Sequence, residues 1–342
     1  MFFNSRRLNH YIIAVVVIFI ISSIADKIKS KMSNTDNDQE LIQKYLLNDS
    51  PLYGYNRPKL WIHSKYEVNS RNWQKFHARN STDLNQPYLH LTIKSIINHC
   101  GKDFNICLID DKSFSKLLPS WDIDVTSLPE PAKSHFRELG MLQLVYHYGG
   151  MVVPNSFICL KNLKPLYNNT PFICEKQNKY CNILNNNNHL YIPDIYFIGA
   201  EKNDESILEI IEYIKTRNRN NHFTEETNFK GEISYMCSDM CKNDKITIIN
   251  GNKIGIKTEK DKPVLIDDLM SEGYINFTED LYGIYIPSEE VLCRTKYNWL
   301  VERSSEDVLN YNIVLSEYLK YSIVNFEEND RENTEITSVI SI

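Results

Sequence analysis

The apolar positions of the chain fall into short runs and helical stripes separated by polar stretches. Lys59–Ser64 (KLWIHS) has the look of a first strand, and Tyr88–Cys100 carries Leu89, Ile93, Ile96 and Ile97 at helical spacing. Asn105–Ile109 is a brief continuous apolar run ending in Asp110 and Asp111, as a buried strand would, and Lys112–Leu118 reads as a helix closed by Pro119. The best helical stripe is Pro131–Tyr148, with Phe136, Leu139, Leu142, Val145 and Tyr146 on one side. Gly149 and Gly150 end it, since glycine reaches the left-handed cap conformation at little cost. Met151–Val153 then predicts a buried strand, whose ladder Pro154 stops because it has no N–H to donate. Ile192–Ile198 and Ile246–Ile249 predict further strands, and Ser206–Lys215 and Ser305–Tyr321 predict helices. Strands and helices in alternation, with charge at a strand's carboxyl end, predict an open α/β sheet whose ligands sit beyond those ends.

One stretch breaks this pattern. Tyr11–Ala25 contains no charge and is flanked by Arg6 and Arg7 on one side and Lys27, Lys29 and Lys31 on the other. As a helix it covers about 22 Å, short of a hydrocarbon core of about 30 Å, so it fits a short membrane anchor. The small residues Ser23 and Ala25 also fit a cleaved signal peptide. Basic residues on both sides leave the orientation open, while a large domain behind an N-terminal anchor favours a translocated body. The expected organisation is a signal anchor at 1–31, a polar stem at 32–57, one α/β domain at 58–325 and a loose tail at 326–342. It is that of a single-pass membrane protein with a lumenal body, or of a secreted one if the segment is cleaved.

Composition adds boundaries rather than chemistry. At 42% hydrophobic and 24% charged residues, the chain is neither wholly disordered nor a multi-span membrane protein. A formal net charge of -6 argues against affinity built on neutralising nucleic-acid phosphates, so no nucleic-acid partner is expected. The 8 cysteines permit disulfides without identifying any, and the one close pair, Cys237 and Cys241, lacks the further ligands of a zinc site. Asn48, Asn80, Asn168 and Asn276 head glycosylation sequons, several of which an asparagine-rich chain acquires by chance.

The segment Arg137–Val153, a helix running through Gly149–Gly150 into a strand, carries a resemblance supported by Phe104–Trp121 and Glu290–Trp299. It resembles the glycosyltransferases of GT-A fold with a DXD-containing sugar-binding region, of the family 32 type, and is similar to members from giant DNA viruses. The resemblance implies a single Rossmann-like nucleotide-sugar-binding domain that takes a UDP- or GDP-hexose and a glycan or glycoprotein acceptor, with retention of configuration. In that family the strand after the double glycine ends in Asp-x-Asp, whose carboxylates hold Mn²⁺ or Mg²⁺ against the departing diphosphate. Here those places hold Pro154, Asn155 and Ser156, so both carboxylates are gone and metal independence becomes an option. The literal Asp-x-Asp triplets at Asp36–Asp38 and Asp122–Asp124 lie off the strand end.

The resemblance also implies an acidic and a basic helix position, taken here by Glu138 and Met141, with Arg137 the nearest cation, about 100° further round the helix. Asp110 or Asp111 would lie near nucleotide or metal, or else cap the helix that follows. Arg294 and Lys296 would neutralise the diphosphate, or else be surface charges, and Trp299 would be a stacking platform or core. His63 is a strand histidine or a substrate contact. Three readings follow: an active hexosyltransferase, a GT-A body that binds sugar or a partner without catalysis, and an anchored interaction scaffold.

Overall fold

Trp61 sits at the middle of the strand that organises the molecule. In the computed structural model, which describes residues 57–64, 86–178, 191–219 and 226–323, β1 (Lys59–His63) pairs in parallel with β2 (Asn105–Ile109) and with β3 (Gly150–Val152). The register runs from Lys59 opposite Asn105 to His63 opposite Ile109. The six-stranded sheet has the order β2-β1-β3-β6-β5-β7. In it β6 (Tyr191–Ala200) runs antiparallel to β3 and to β5 (Phe172–Gln177), while β7 (Thr247–Ile249) is parallel to β5. A separate ribbon pairs β4 (Phe157–Cys159) with β8 (Gly283–Tyr285). Between strands lie α1 (Leu89–Cys100), α2 (Ser113–Leu117), α3 (Ala132–Tyr148), α4 (Lys164–Tyr167), α5 (Glu205–Arg219) and α6 (Glu226–Lys242). The short helices α7 (Ile266–Leu269), α8 (Ser288–Cys293), α9 (Asn298–Val301) and α10 (Ser305–Leu309) follow. The architecture is a mixed α/β, Rossmann-like fold.

Period-two alternation divides the strand residues between two faces. Trp61, Ile109 and Val152 share a core with Leu142 and Val145 of α3, Ile207 and Ile210 of α5, and Ile233 of α6. Burying side chains of this size stabilises by about 1.5–3 kcal/mol each before entropy is charged against it. α1 packs on β4, where the Ser95 hydroxyl accepts a hydrogen bond from the Cys159 N–H at 2.9 Å.

The double glycine is required by crowding. Gly150 has φ +104°, and a Cβ there would lie 2.1 Å from the Lys59 carbonyl oxygen of β1. Gly149 has φ +70°, and its carbonyl accepts a hydrogen bond from the buried Trp61 indole at 3.0 Å. The turn and the central strand therefore hold each other in place.

The expected elements from Lys59 to Val153 appear within a residue or two of their predicted bounds. Several elements were not anticipated, among them the ribbon strands β4 and β8, the short helices α4 and α7–α9, and two longer elements, β5 and α6. β5 has an apolar first half but continues as Glu175-Lys176-Gln177, and α6 is too polar for its stripe to stand out. The helix expected over Ser305–Tyr321 is broken: α10 stops at Leu309 and helix resumes over 314–323. The buried Ser316 hydroxyl donates to the Val308 carbonyl at 2.5 Å, so a side chain takes up a helix-terminal acceptor. No helix among the described residues is long and apolar enough to cross a membrane. The expected anchor at 11–25, nearly all of the stem and the tail lie outside the described residues.

Candidate functional site

Because β1, β2 and β3 are parallel, their carboxyl ends emerge along one edge of the sheet. β2 leads onward on one side of β1 and β3 lies on the other, so a crevice opens where the chain changes direction, the usual ligand position in open α/β sheets. A cavity of about 260 Å³ lies there. Its lining includes His63 at the end of β1, Val153–Ser156 after β3, and Arg137, Glu138 and Met141 from one side of α3. Across from them stand Lys176, Asp194 and Tyr196 of β5 and β6, Lys230 of α6, Tyr285 of β8, and Glu289 of α8.

The expected residues divide in this frame. Gly149 and Gly150 make the turn, and Arg137, Glu138, Asn155 and Ser156 line the cavity. Asp110 does not line it. Its carboxylate accepts from the Ser113 N–H at 2.9 Å and the Ser113 hydroxyl at 2.7 Å, which makes it the cap-like partner of α2. Asp111 lies behind the cavity wall, where it accepts from Arg137 Nε at 2.8 Å and Nη2 at 2.7 Å. His63 Nε2 lies 3.0 Å from the same carboxylate, and its ring stacks on Phe114. Burial opposes ionisation of Asp111, but the hydrogen bonds from Arg137 and then His63 outweigh it and hold the carboxyl well below the usual range.

Arg294 and Lys296 are not at the cavity. Both hold Asp267 of α7, at 2.6 and 2.8 Å, on the protein surface. Hydrogen bonds from Lys296 and Tyr297 depress the Asp267 carboxyl. Trp299 packs edge-on against Tyr311, with 4.7 Å between ring centroids, and is absent from the cavity lining.

Four of the charged residues that line the cavity form two pairs. Lys176 Nζ is 3.1 Å from Asp194 Oδ2, and Lys230 Nζ is 3.9 Å from Glu138 Oε1. Burial works against both charges of the Lys176–Asp194 pair. Each partner nevertheless sustains the other, so the lysine is raised and the aspartate lowered from their ordinary values. Beside them, the Tyr196 and Tyr285 rings stand 4.9 Å apart and present an aromatic wall. Fixed carboxylates next to aromatic faces suit a polyhydroxylated ring, whose hydroxyls donate to the oxygens while its C–H face lies on the rings.

Sequence reasoning missed Lys176, Asp194, Lys230, Tyr196 and Tyr285. The available signal was Asp194, a carboxylate inside the apolar run Ile192–Ile198, since a charge in a buried strand needs a partner.

The end of β3 is a poor seat for a hard divalent cation. Pro154 carries no side-chain oxygen, Asn155 and Ser156 offer only neutral ones, and the Asn155 backbone carbonyl accepts from the Thr92 hydroxyl at 2.5 Å. No group of three His, Cys, Asp or Glu among the described residues is arranged to hold a metal ion.

Fold and cavity together define an α/β protein with a cleft at the carboxyl edge of a Rossmann-like sheet. Compared with known proteins, the chain matches no protein-family model and no curated protein.

Proposed function

We propose that this chain is a GT-A-type, glycosyltransferase-like protein that binds a nucleotide sugar, a UDP- or GDP-hexose, in the cleft at the ends of β1 and β3. The carrying observation is the cleft itself. The helix, double glycine and strand of α3 and β3 lead into it, and it offers Asp194 and Glu138 as hydroxyl acceptors beside Tyr196 and Tyr285. In this reading the hexose lies against the tyrosines and binding needs no metal ion. The acceptor is a glycan or glycoprotein, and residues 11–25 anchor a lumenal body in a membrane.

A second reading, binding without transfer, is favoured by a specific observation. Arg137, Lys176 and Lys230 each already face a carboxylate, and the strand end offers Pro154, Asn155 and Ser156 in place of acids, so little charge is available to stabilise a departing diphosphate. The deciding experiment titrates the full-length protein with UDP- and GDP-hexoses by calorimetry and follows release of nucleotide diphosphate with Mn²⁺ and with chelator. Transfer or hydrolysis supports the enzyme, and binding with no turnover supports the second reading. Failure to bind any nucleotide sugar removes both.

A further inference from the structure

Two of the described cysteines meet across the fold. Cys100 is the last residue of α1 and Cys159 the last of β4, 59 positions apart in sequence, and their sulfurs lie 3.8 Å from each other. Both side chains are fully buried. The sulfurs are in van der Waals contact, so side-chain torsions alone can bring them to bonding distance.

The backbone around each cysteine is held in place. The Cys100 carbonyl accepts from the Phe104 N–H at 2.9 Å, and the Cys159 N–H donates to the hydroxyl of Ser95, five residues earlier than Cys100 on α1. Thr92, nearer the start of that helix, donates to the Asn155 carbonyl. α1 therefore runs beside the segment from Asn155 to Cys159 that leads away from the cleft, and its first residue, Leu89, lines the cleft together with Asn155 and Ser156. A bond between the two sulfurs would fasten the far end of this contact.

We infer that Cys100 and Cys159 are a disulfide-forming pair that staples α1 to β4 when the chain folds in the presence of a small-molecule disulfide, such as the oxidised glutathione of a secretory compartment. One cysteine thiolate attacks a sulfur of the donor, whose other sulfur leaves as a thiolate. The second cysteine thiolate then attacks the first cysteine's sulfur in the mixed disulfide and expels the remaining donor thiolate. Two electrons pass from the pair to the donor, and the two protons given up by the cysteines end on the donor's two thiols. The exchange precedes docking of α1, because docking seals both sulfurs from solvent and burial raises the Cys159 thiol well above its ordinary range, leaving little thiolate to react. The same burial shields the closed bond from reductants. The structure shows the pair in its thiol form. The inference does not depend on what the cleft binds.

The test refolds the full-length protein from guanidinium chloride in mild detergent, once with reduced and oxidised glutathione and once with a phosphine reductant. Remaining thiols are then alkylated, and the peptides are mapped by mass spectrometry without reduction. The glutathione preparation should contain a peptide that joins Cys100 to Cys159, absent from the reduced one. It should also melt about 5–10 °C higher, because the bond closes a long loop of the unfolded chain. With Cys100→Ala and Cys159→Ala combined, the two preparations should melt together, and the wild-type peptide map decides even where that variant does not fold. Alkylation of both cysteines after refolding with glutathione, or either one joined to a different cysteine, would overturn the inference. So would a Cys100–Cys159 cross-link that leaves the melting temperature unchanged.

Discussion

Arg137 holds Asp111 with two parallel hydrogen bonds, Nε to Oδ1 at 2.8 Å and Nη2 to Oδ2 at 2.7 Å, and so ties the middle of the sheet's main helix to the end of strand β2. The guanidinium is 9% and the carboxylate 15% exposed, so this bidentate pair is largely screened from water. Asp111→Asn should therefore destabilise the protein by on the order of 3 kcal/mol at neutral pH, because Arg137 keeps its charge and loses its bidentate carboxylate, retaining the longer 3.5 Å contact to Glu130. The sign with pH follows from the depressed carboxyl. Its contribution is fully present above the ordinary aspartate value of about 3.9 and is lost as pH falls through the lower folded-state value. Urea unfolding of wild type and Asp111→Asn should show a gap that is wide at pH 7 and narrows under strong acid. A gap independent of pH would contradict the assignment.

Glycine substitutions separate need from accident. Gly150→Ala places a Cβ against the Lys59 carbonyl at a positive φ, and should cost about 3 kcal/mol or prevent folding. At Gly231, in α6, the place a Cβ would take has no neighbouring atom within 4 Å, so Gly231→Ala should stabilise by about 0.5–1 kcal/mol. Thermal melting of the two variants checks both signs at once.

Removing Lys176 leaves the Asp194 carboxylate without its cation in the cleft wall. Lys176→Met should cost about 3 kcal/mol, and replacing both residues, Lys176→Met with Asp194→Leu, should recover much of it. A double variant as unstable as the sum of the singles would show that the two residues do not act as a pair.

Cysteine reactivity should be strongly uneven. Cys293 is exposed, whereas burial pushes the Cys107 thiol up to about 12 and Cys241 up to about 11, and raises Cys159 and Cys174 well above the ordinary range. In a Cys181→Ser background, a disulfide reagent should label Cys293 rapidly, the half-buried Cys241 slowly, and the buried thiols only on unfolding. Cys293→Ser should remove the fast phase. The described cysteines are free thiols, with Cys100 and Cys159 sulfurs 3.8 Å apart.

The proposed lumenal body has a direct readout at Asn276, an exposed sequon asparagine whose amide donates to Glu259 at 2.8 Å. Expression through a secretory pathway should yield a glycan at this site, seen as a mobility shift that Asn276→Gln removes. An unmodified Asn276 would argue against that topology.

The sequence by itself determined the scaffold around the cleft. Apolar runs specified β1, β2 and β3, a helical stripe specified α3, and Gly149–Gly150 marked the turn, because each follows from local periodicity and backbone sterics. It also showed that Pro154, Asn155 and Ser156 stand where carboxylates were expected. Only the tertiary structure decided which charges share the cleft. The resemblance implied Arg294 and Lys296 beside a diphosphate, with surface charges as the alternative, and both are held by Asp267, while Lys176, from an unanticipated strand, meets Asp194 across the β5–β6 pairing. Charged side chains choose partners by distance in space, over separations that periodicity along the chain cannot encode.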